Sequence, residues 1–142
     1  IPLYSSGFLT EGNLDAMGEA GQGLFTTLHY ADGLKGARNE AFRSAYAKTY
    51  KNQPDVYAVQ GYDSAQLLDA GLKTVKGDTA KRPELIKAME SARIDSPRGP
   101  FVLSRAHNPV QDMYLRKASG RDNAFVEIAA KGLADPARGC KM

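Results

Sequence analysis

Apolar and polar positions change their spacing several times along the chain, and each change marks an element. The run IPLY at residues 1–4 stops at Ser5-Ser6-Gly7, which predicts a strand running into a small-residue loop. Residues 12–19, GNLDAMGE, fit a short helix capped by Asn13. GLFTTLHY at 23–30 is rich in β-formers and predicts a second strand. From 37 to 50, Phe42, Ala45, Tyr46, Thr49 and Tyr50 recur at helical spacing, with Arg38, Glu40, Arg43 and Lys48 opposite them. That helix ends before Pro54, because the residue preceding a proline avoids the helical region. A longer helix is predicted over 56–76, with Ala58, Tyr62, Ala65, Leu68, Leu72 and Val75 as its stripe and Gly77 at its end. A third follows over 83–92, with Pro83 in its first turn and Leu85, Ile86 and Met89 facing inward. Residues 99–104, 112–118 and 124–130 then read as short strands, separated by AHNPVQ and SGRDN. The tail from Lys131 reads as polar surface. Strands alternating with helices and then a run of strands make an α/β pattern.

The chain has 142 residues, 42% hydrophobic and 25% charged, within the ordinary range for one globular domain. Its net charge of +3 is scattered, with no block of like charges, so the basic residues read as solvated surface and nucleic acid is not an expected partner. No apolar run approaches the ~18 residues that cross a bilayer.

Candidate chemistry is sparse. His29 sits within a predicted strand and reads as a packing or surface residue; His107 precedes Asn108-Pro109 and reads as a loop residue bonded locally. Neither has a second ligand at metal spacing, so no metal and no cofactor is expected. Cys140 lies in the tail without a helix N-terminus or base beside it, which argues against a nucleophile. Ser5-Ser6-Gly7 is neither a nucleophile elbow nor a phosphate loop. It reads either as a plain turn or as a place where a ligand approaches the backbone beyond the carboxyl end of a strand. The helix over 56–76 opens on Tyr57, Gln60 and Tyr62 before its apolar stripe settles. A tyrosine there offers a flat apolar face and one hydroxyl, which suits a small amphipathic ligand, or else simply belongs to the stripe.

The run YAVQGYDSAQLLDAGL at 57–72, followed by KRPELIKAMESARIDSPRGPFVLSRAHNPVQDMYLRKA at 81–118, resembles the C-terminal part of the solute-binding proteins of branched-chain amino acid ABC transporters. These are type I, leucine-binding-protein-like receptors. Gly61-Tyr62-Asp63 at a helix start, SPRGPF and HNPVQDMYL carry the resemblance most specifically, and it covers nearly the whole chain. It implies the C-terminal portion of a two-lobed fold, each lobe a mostly parallel sheet flanked by helices. Residues 1–52 would belong to the second lobe, 53–108 to the first, and 109–142 would return to the second and end in a tail. It further implies a periplasmic location, a small-molecule ligand, a permease in the inner membrane as partner, a complementary N-terminal half of the same protein, and no enzymatic activity.

In such proteins the counterpart of Tyr62 faces the cleft, and the loop similar to Tyr4-Ser5-Ser6-Gly7-Phe8 contacts the ligand from the second lobe. The expected ligand-binding residues are therefore Tyr4, Ser5, Ser6, Gly7, Phe8, Gln60 and Tyr62. Amino-acid-binding members carry an acid in that loop to hold the ligand's ammonium; here the nearest acids are Glu11, which comes late, and Asp63. Since a buried ammonium without a counter-charge is costly, an aromatic or aliphatic acid is expected ahead of a branched-chain amino acid. Cys140 would pair with a cysteine in the N-terminal half. A ligand-sensing domain of a receptor or regulator is the alternative with the same fold.

Overall fold

Phe25–Leu28, strand β2, lies between the first strand and the rest of the sheet and organises the parts around it. The computed structural model describes residues 1–139. Strand β1 is Tyr4–Ser6, parallel to β2 with Tyr4 opposite Phe25 and Ser6 opposite Thr27. Ser5 and Ser6, expected in a loop, are therefore strand residues, and Ile1 to Leu3 precede the strand. The chain pairs where β2 offers hydrogen bonds rather than where its apolar run lies. A 3-10 turn over Gly7–Leu9 and a short helix α1, Leu14–Met17, lead back to β2.

Helix α2, Ala37–Tyr50, has the predicted bounds and ends at Lys51 in the left-handed region. Helix α3, Val56–Thr74, starts at Asp55, whose carboxylate accepts from the Ala58 N–H at 2.9 Å and satisfies one of the free donors of the first turn. Helix α4, Arg82–Glu90, carries Pro83 in its first turn.

Three strands complete the sheet: β3 (Val102–Leu103), β4 (Pro109–Ser119) and β5 (Asp122–Leu133). Strand β4 runs antiparallel to β2, β3 and β5. Parallel pairing of named strands is thus confined to β1 and β2, less than the mostly parallel sheet expected, because β4 and β5 form a long hairpin. Strand β5 continues to Leu133, into the stretch expected to be polar tail; cross-strand hydrogen bonds, not apolar content, hold it.

The core joins Leu28 and Tyr30 of β2 and its exit, Phe42 of α2, and Val56 and Val59 of α3. It unites residues on both sides of position 52, so α3 is seated on the sheet it leaves. Leu14, Leu24 and Ala118 form a smaller cluster. The buried face of α3 runs through Val56, Val59, Asp63, Gly71 and Val75, while Ala65 and Leu68 are exposed, so the expected stripe is rotated. In α2, Asn39 and Phe42 are the buried residues, and Ala45, Thr49 and Tyr50 face solvent. Ile86, expected inward, is also exposed. Helix α4 rests on α3 through Leu85 and Met89. Both approach Gly71, where a Cβ would stand 2.8 Å from the Met89 side chain and 2.9 Å from Leu85.

Candidate functional site

The carboxyl ends of β1 and β2 lie side by side, and ligands of open α/β sheets sit beyond such ends. The first residue past β1 is Gly7. A Cβ there would come within 2.7 Å of both the Arg116 guanidinium and Leu28 Cβ, and within 2.8 Å of the Thr27 carbonyl, so only glycine fits. Arg116, on β4, is 1% exposed and holds this edge together. It donates to the Gly7 carbonyl at 2.9 Å, to the Tyr30 carbonyl at 3.1 Å and to the Glu11 carboxylate at 2.8 Å. The other oxygen of Glu11 accepts from the Val56 N–H at 2.9 Å, at the start of α3. Thr10, beside Glu11, donates to Asn123 of β5. Glu11 is therefore fully committed to internal partners.

The expected site residues fall into separate settings. Phe8 is 52% exposed and stacks on the equally exposed Tyr57 of α3, ring centroids 6.4 Å apart. Tyr4 stacks on Phe25 at 5.2 Å and is exposed on its other side. Ser5 and Ser6 lie in β1. Gln60 Nε2 is 3.1 Å from His29 Nε2, the first residue past β2. Tyr62 turns toward α2: its ring packs on Phe42 at 5.0 Å, and Arg38 bonds its hydroxyl. The structure thus brings Gly7, Phe8 and Gln60 to one edge, together with Tyr57 and His29, and seats Tyr62 in the packing behind them.

A second polar network binds α3 to the segment leading into β3. Asp63 accepts from Arg98 at 2.8 Å and from Ser96 at 2.9 Å, and is 2% exposed. Burial pushes the Asp63 carboxyl up and the Arg98 guanidinium down, with each partly restoring the other's charged form. Asp63 Oδ1 has no hydrogen-bond partner among the described residues. Arg98 also bonds Gln111 of β4, lies over the Phe101 ring at 4.3 Å, and receives the Tyr114 hydroxyl on its carbonyl at 2.7 Å. Beside this network lies a cavity of about 190 Å³ reached from His29. A larger groove, about 620 Å³, runs past Glu11, Asp32 and Asp55, and these three acids serve internal partners: Glu11 bonds Arg116, Asp32 pairs with Arg43 at 2.9 Å and Asp55 caps α3.

Burial, then the guanidiniums of Arg98 and Arg116, hold the His29 pKa down to about 4, so its imidazole is neutral at pH 7. His107 lies on the surface as expected, but its partner is not local: it meets Glu90 of α4, 17 positions away, at 2.8 Å. No cluster of metal-ligating side chains occurs among the described residues. Cys140 lies outside the described residues. Among the described residues no helix is long and apolar enough to cross a membrane.

The family described as "Periplasmic binding protein" matches residues 1–123. The chain belongs to the periplasmic binding protein family. A solute-binding protein of an ABC transporter from R. palustris, solved in complex with benzoate, is 54% identical with a TM-score of 0.94; the match covers all of this chain and 39% of that one. A solute-binding protein from Rhodopseudomonas palustris BisB5, in complex with 3,4-dihydroxybenzoic acid, is 31% identical with a TM-score of 0.82, covering 96% of this chain and 39% of that one. A Leu/Ile/Val-binding protein homolog from Brucella abortus is 32% identical over 129 residues, 87% of this chain. The chain spans about a third of that relative's length, the match covering 32% of it.

Within this periplasmic binding protein chain, sequence reasoning passed over two residues of the strand-end edge. Tyr57 stands outside the expected set, although it lies three residues before Gln60 and so shares its face. His29 falls inside the predicted strand over 23–30, which makes it read as packing. The rule applied to the carboxyl end of β1 points equally to the residue after β2, and β2 ends at Leu28.

Proposed function

We propose that this chain is part of the substrate-binding component of an ABC importer and helps capture an aromatic carboxylate between two lobes. The observation that carries the reading is the fate of Glu11 and Asp63. Both acids near the strand ends are buried on arginines, so neither is free to serve as the counter-charge of a ligand's ammonium. What the edge does offer is a half-exposed aromatic pair, Phe8 and Tyr57, and the neutral side chains of Gln60 and His29. A flat ring without an amino group suits such a surface. The relatives holding benzoate and dihydroxybenzoate support the same class.

In this reading residues 1–52 and 109–142 are second-lobe segments and 53–108 a first-lobe segment, with a complementary N-terminal half completing the cleft. Tyr4, Ser5, Ser6, Gly7, Phe8 and His29 line the cleft from the second lobe and Tyr57 and Gln60 from the first, and Tyr62 supports them. Solute binds the closed arrangement more tightly than the open one, and that difference drives closure. The closed form then docks on an inner-membrane permease from the periplasmic side. No bond is made or broken.

Isothermal calorimetry on the two-lobed protein containing this chain tests the reading. Benzoate or a hydroxybenzoate should bind at least about tenfold more tightly than leucine, a difference of about 1.4 kcal/mol. Leucine, isoleucine or valine binding ahead of every aromatic acid would overturn it.

A further inference from the structure

The second polar network carries a feature that the capture of a ring does not explain. We propose that the cavity closed by His29, Arg98 and Gln111 is the subsite for the solute's carboxylate. This rests on the aromatic-acid reading and adds where the charged end lies.

Volume fits first. About 190 Å³ equals roughly six waters at ~30 Å³ each, room for a carboxylate and the start of a ring. The donors fit next. An amide nitrogen only donates, so Gln60 Nε2 gives its hydrogen to His29 Nε2, and the imidazole proton sits on Nδ1 as a donor. Gln111 spends its Oε1 on Arg98, which leaves its amide N–H groups for another partner. Arg98 uses Nε on Asp63 and Nη1 on Gln111, leaving Nη2. Its bonds to Asp63 and Gln111 and the Phe101 ring, 4.3 Å from the guanidinium carbon, hold the guanidinium in place.

The charges that act on His29 are the guanidiniums of Arg98 and Arg116. Glu11 and Asp63 pair with those arginines. Asp112 also lines the cavity, but it accepts from the Gly132 N–H of β5 at 2.8 Å, and Tyr114 turns its hydroxyl to the Arg98 carbonyl. Gly99 and Pro100 close the wall without charge. An anion entering here finds donors already oriented, with Asp112 as the one carboxylate among the described lining residues and its Oδ1 turned to the Gly132 N–H.

The histidine gives a direct readout, because the chain has only two, and His107 lies on the surface. The two-lobed protein should be titrated by ¹⁵N–¹H NMR of the imidazoles from pH 4 to 8, alone, with sodium benzoate and with sodium acetate. A carboxylate against His29 favours the imidazolium, so its pKa should rise by a unit or more with benzoate while His107 stays put. In calorimetry, benzoate should bind at least about tenfold more tightly than benzamide, and Gln111→Leu should lose about tenfold for benzoate, the worth of one charge-assisted hydrogen bond. Tight benzoate binding with the His29 pKa unmoved would overturn the subsite and leave the aromatic-acid reading intact. A His29 shift with acetate but no benzoate binding would support the subsite and sink the aromatic-acid reading. No response to either salt sinks both.

Discussion

Arg116 and Glu11 meet in a 2.8 Å ion pair with side chains only 1% and 4% exposed, although 105 positions separate them. The pair ties β4 to the loop after β1, and through the Val56 N–H it ties both to the start of α3. Removing one member leaves the other charge buried. Arg116→Met should therefore cost about 3–5 kcal/mol in urea unfolding, and adding Glu11→Leu should recover a good part of it. A cost below ~1 kcal/mol for Arg116→Met would show that the pair does not hold the edge.

Gly7 is confined by the same arginine. Gly7→Ala puts a methyl against Arg116, Leu28 and the Thr27 carbonyl, and a backbone atom cannot yield as a side-chain tip can. The expected loss is about 1–3 kcal/mol, with weaker solute binding because Phe8 follows directly. Chemical denaturation and calorimetry on the same sample measure both, and unchanged values in each would contradict the crowding.

Tyr57 and Tyr62 lie five positions apart on α3 and should respond in opposite ways. Tyr57 is half exposed and stacks only on Phe8 among the aromatic pairs, so Tyr57→Ala should weaken benzoate binding roughly three- to tenfold, with the unfolding midpoint little changed. Tyr62 packs on Phe42 within the core, so Tyr62→Ala should cost about 2–4 kcal/mol of stability. The reverse pattern would return the cleft wall to Tyr62.

His29 makes stability fall with acid. Its pKa is near 6.5 unfolded and about 4 folded, so between those values the unfolded chain binds more protons. Stability tied to the neutral ring is complete above about pH 6.5 and drains away as pH drops to 4. At about 1.4 kcal/mol per unit, reduced for a half-buried ring, the loss is about 2 kcal/mol. Unfolding midpoints taken at half-unit steps should show this slope in the native protein and a flatter one in His29→Gln. Equal slopes would remove His29 as the cause.

Helices were legible because their signals are local. Pro54 and Asp55 before α3, and the 3.6-residue spacing of α2, act within a few positions, and the bounds of α2 agree to the residue. The family, too, was legible in the order of short runs such as SPRGPF. Which face of α3 is buried was not, because that face is chosen by what it meets: Asp63 goes inward since Arg98 and Ser96 receive it, and Leu68 stays out. The edge residues divided the same way. Gly7 follows from the strand-end rule, Phe8 from the family resemblance and Gln60 from its place at the front of α3, while the Gln60–His29 pair and the loss of Glu11 to Arg116 depend on contacts between distant segments.

The amino-acid order alone determined the α/β alternation, the helix limits and the kinship, since each arises from neighbours in the chain. Only the tertiary structure decided which acids are consumed, which aromatic ring is presented and where His29 stands. Hydrogen bonds and charge pairing between remote residues depend on position in space, which spacing along the chain does not specify.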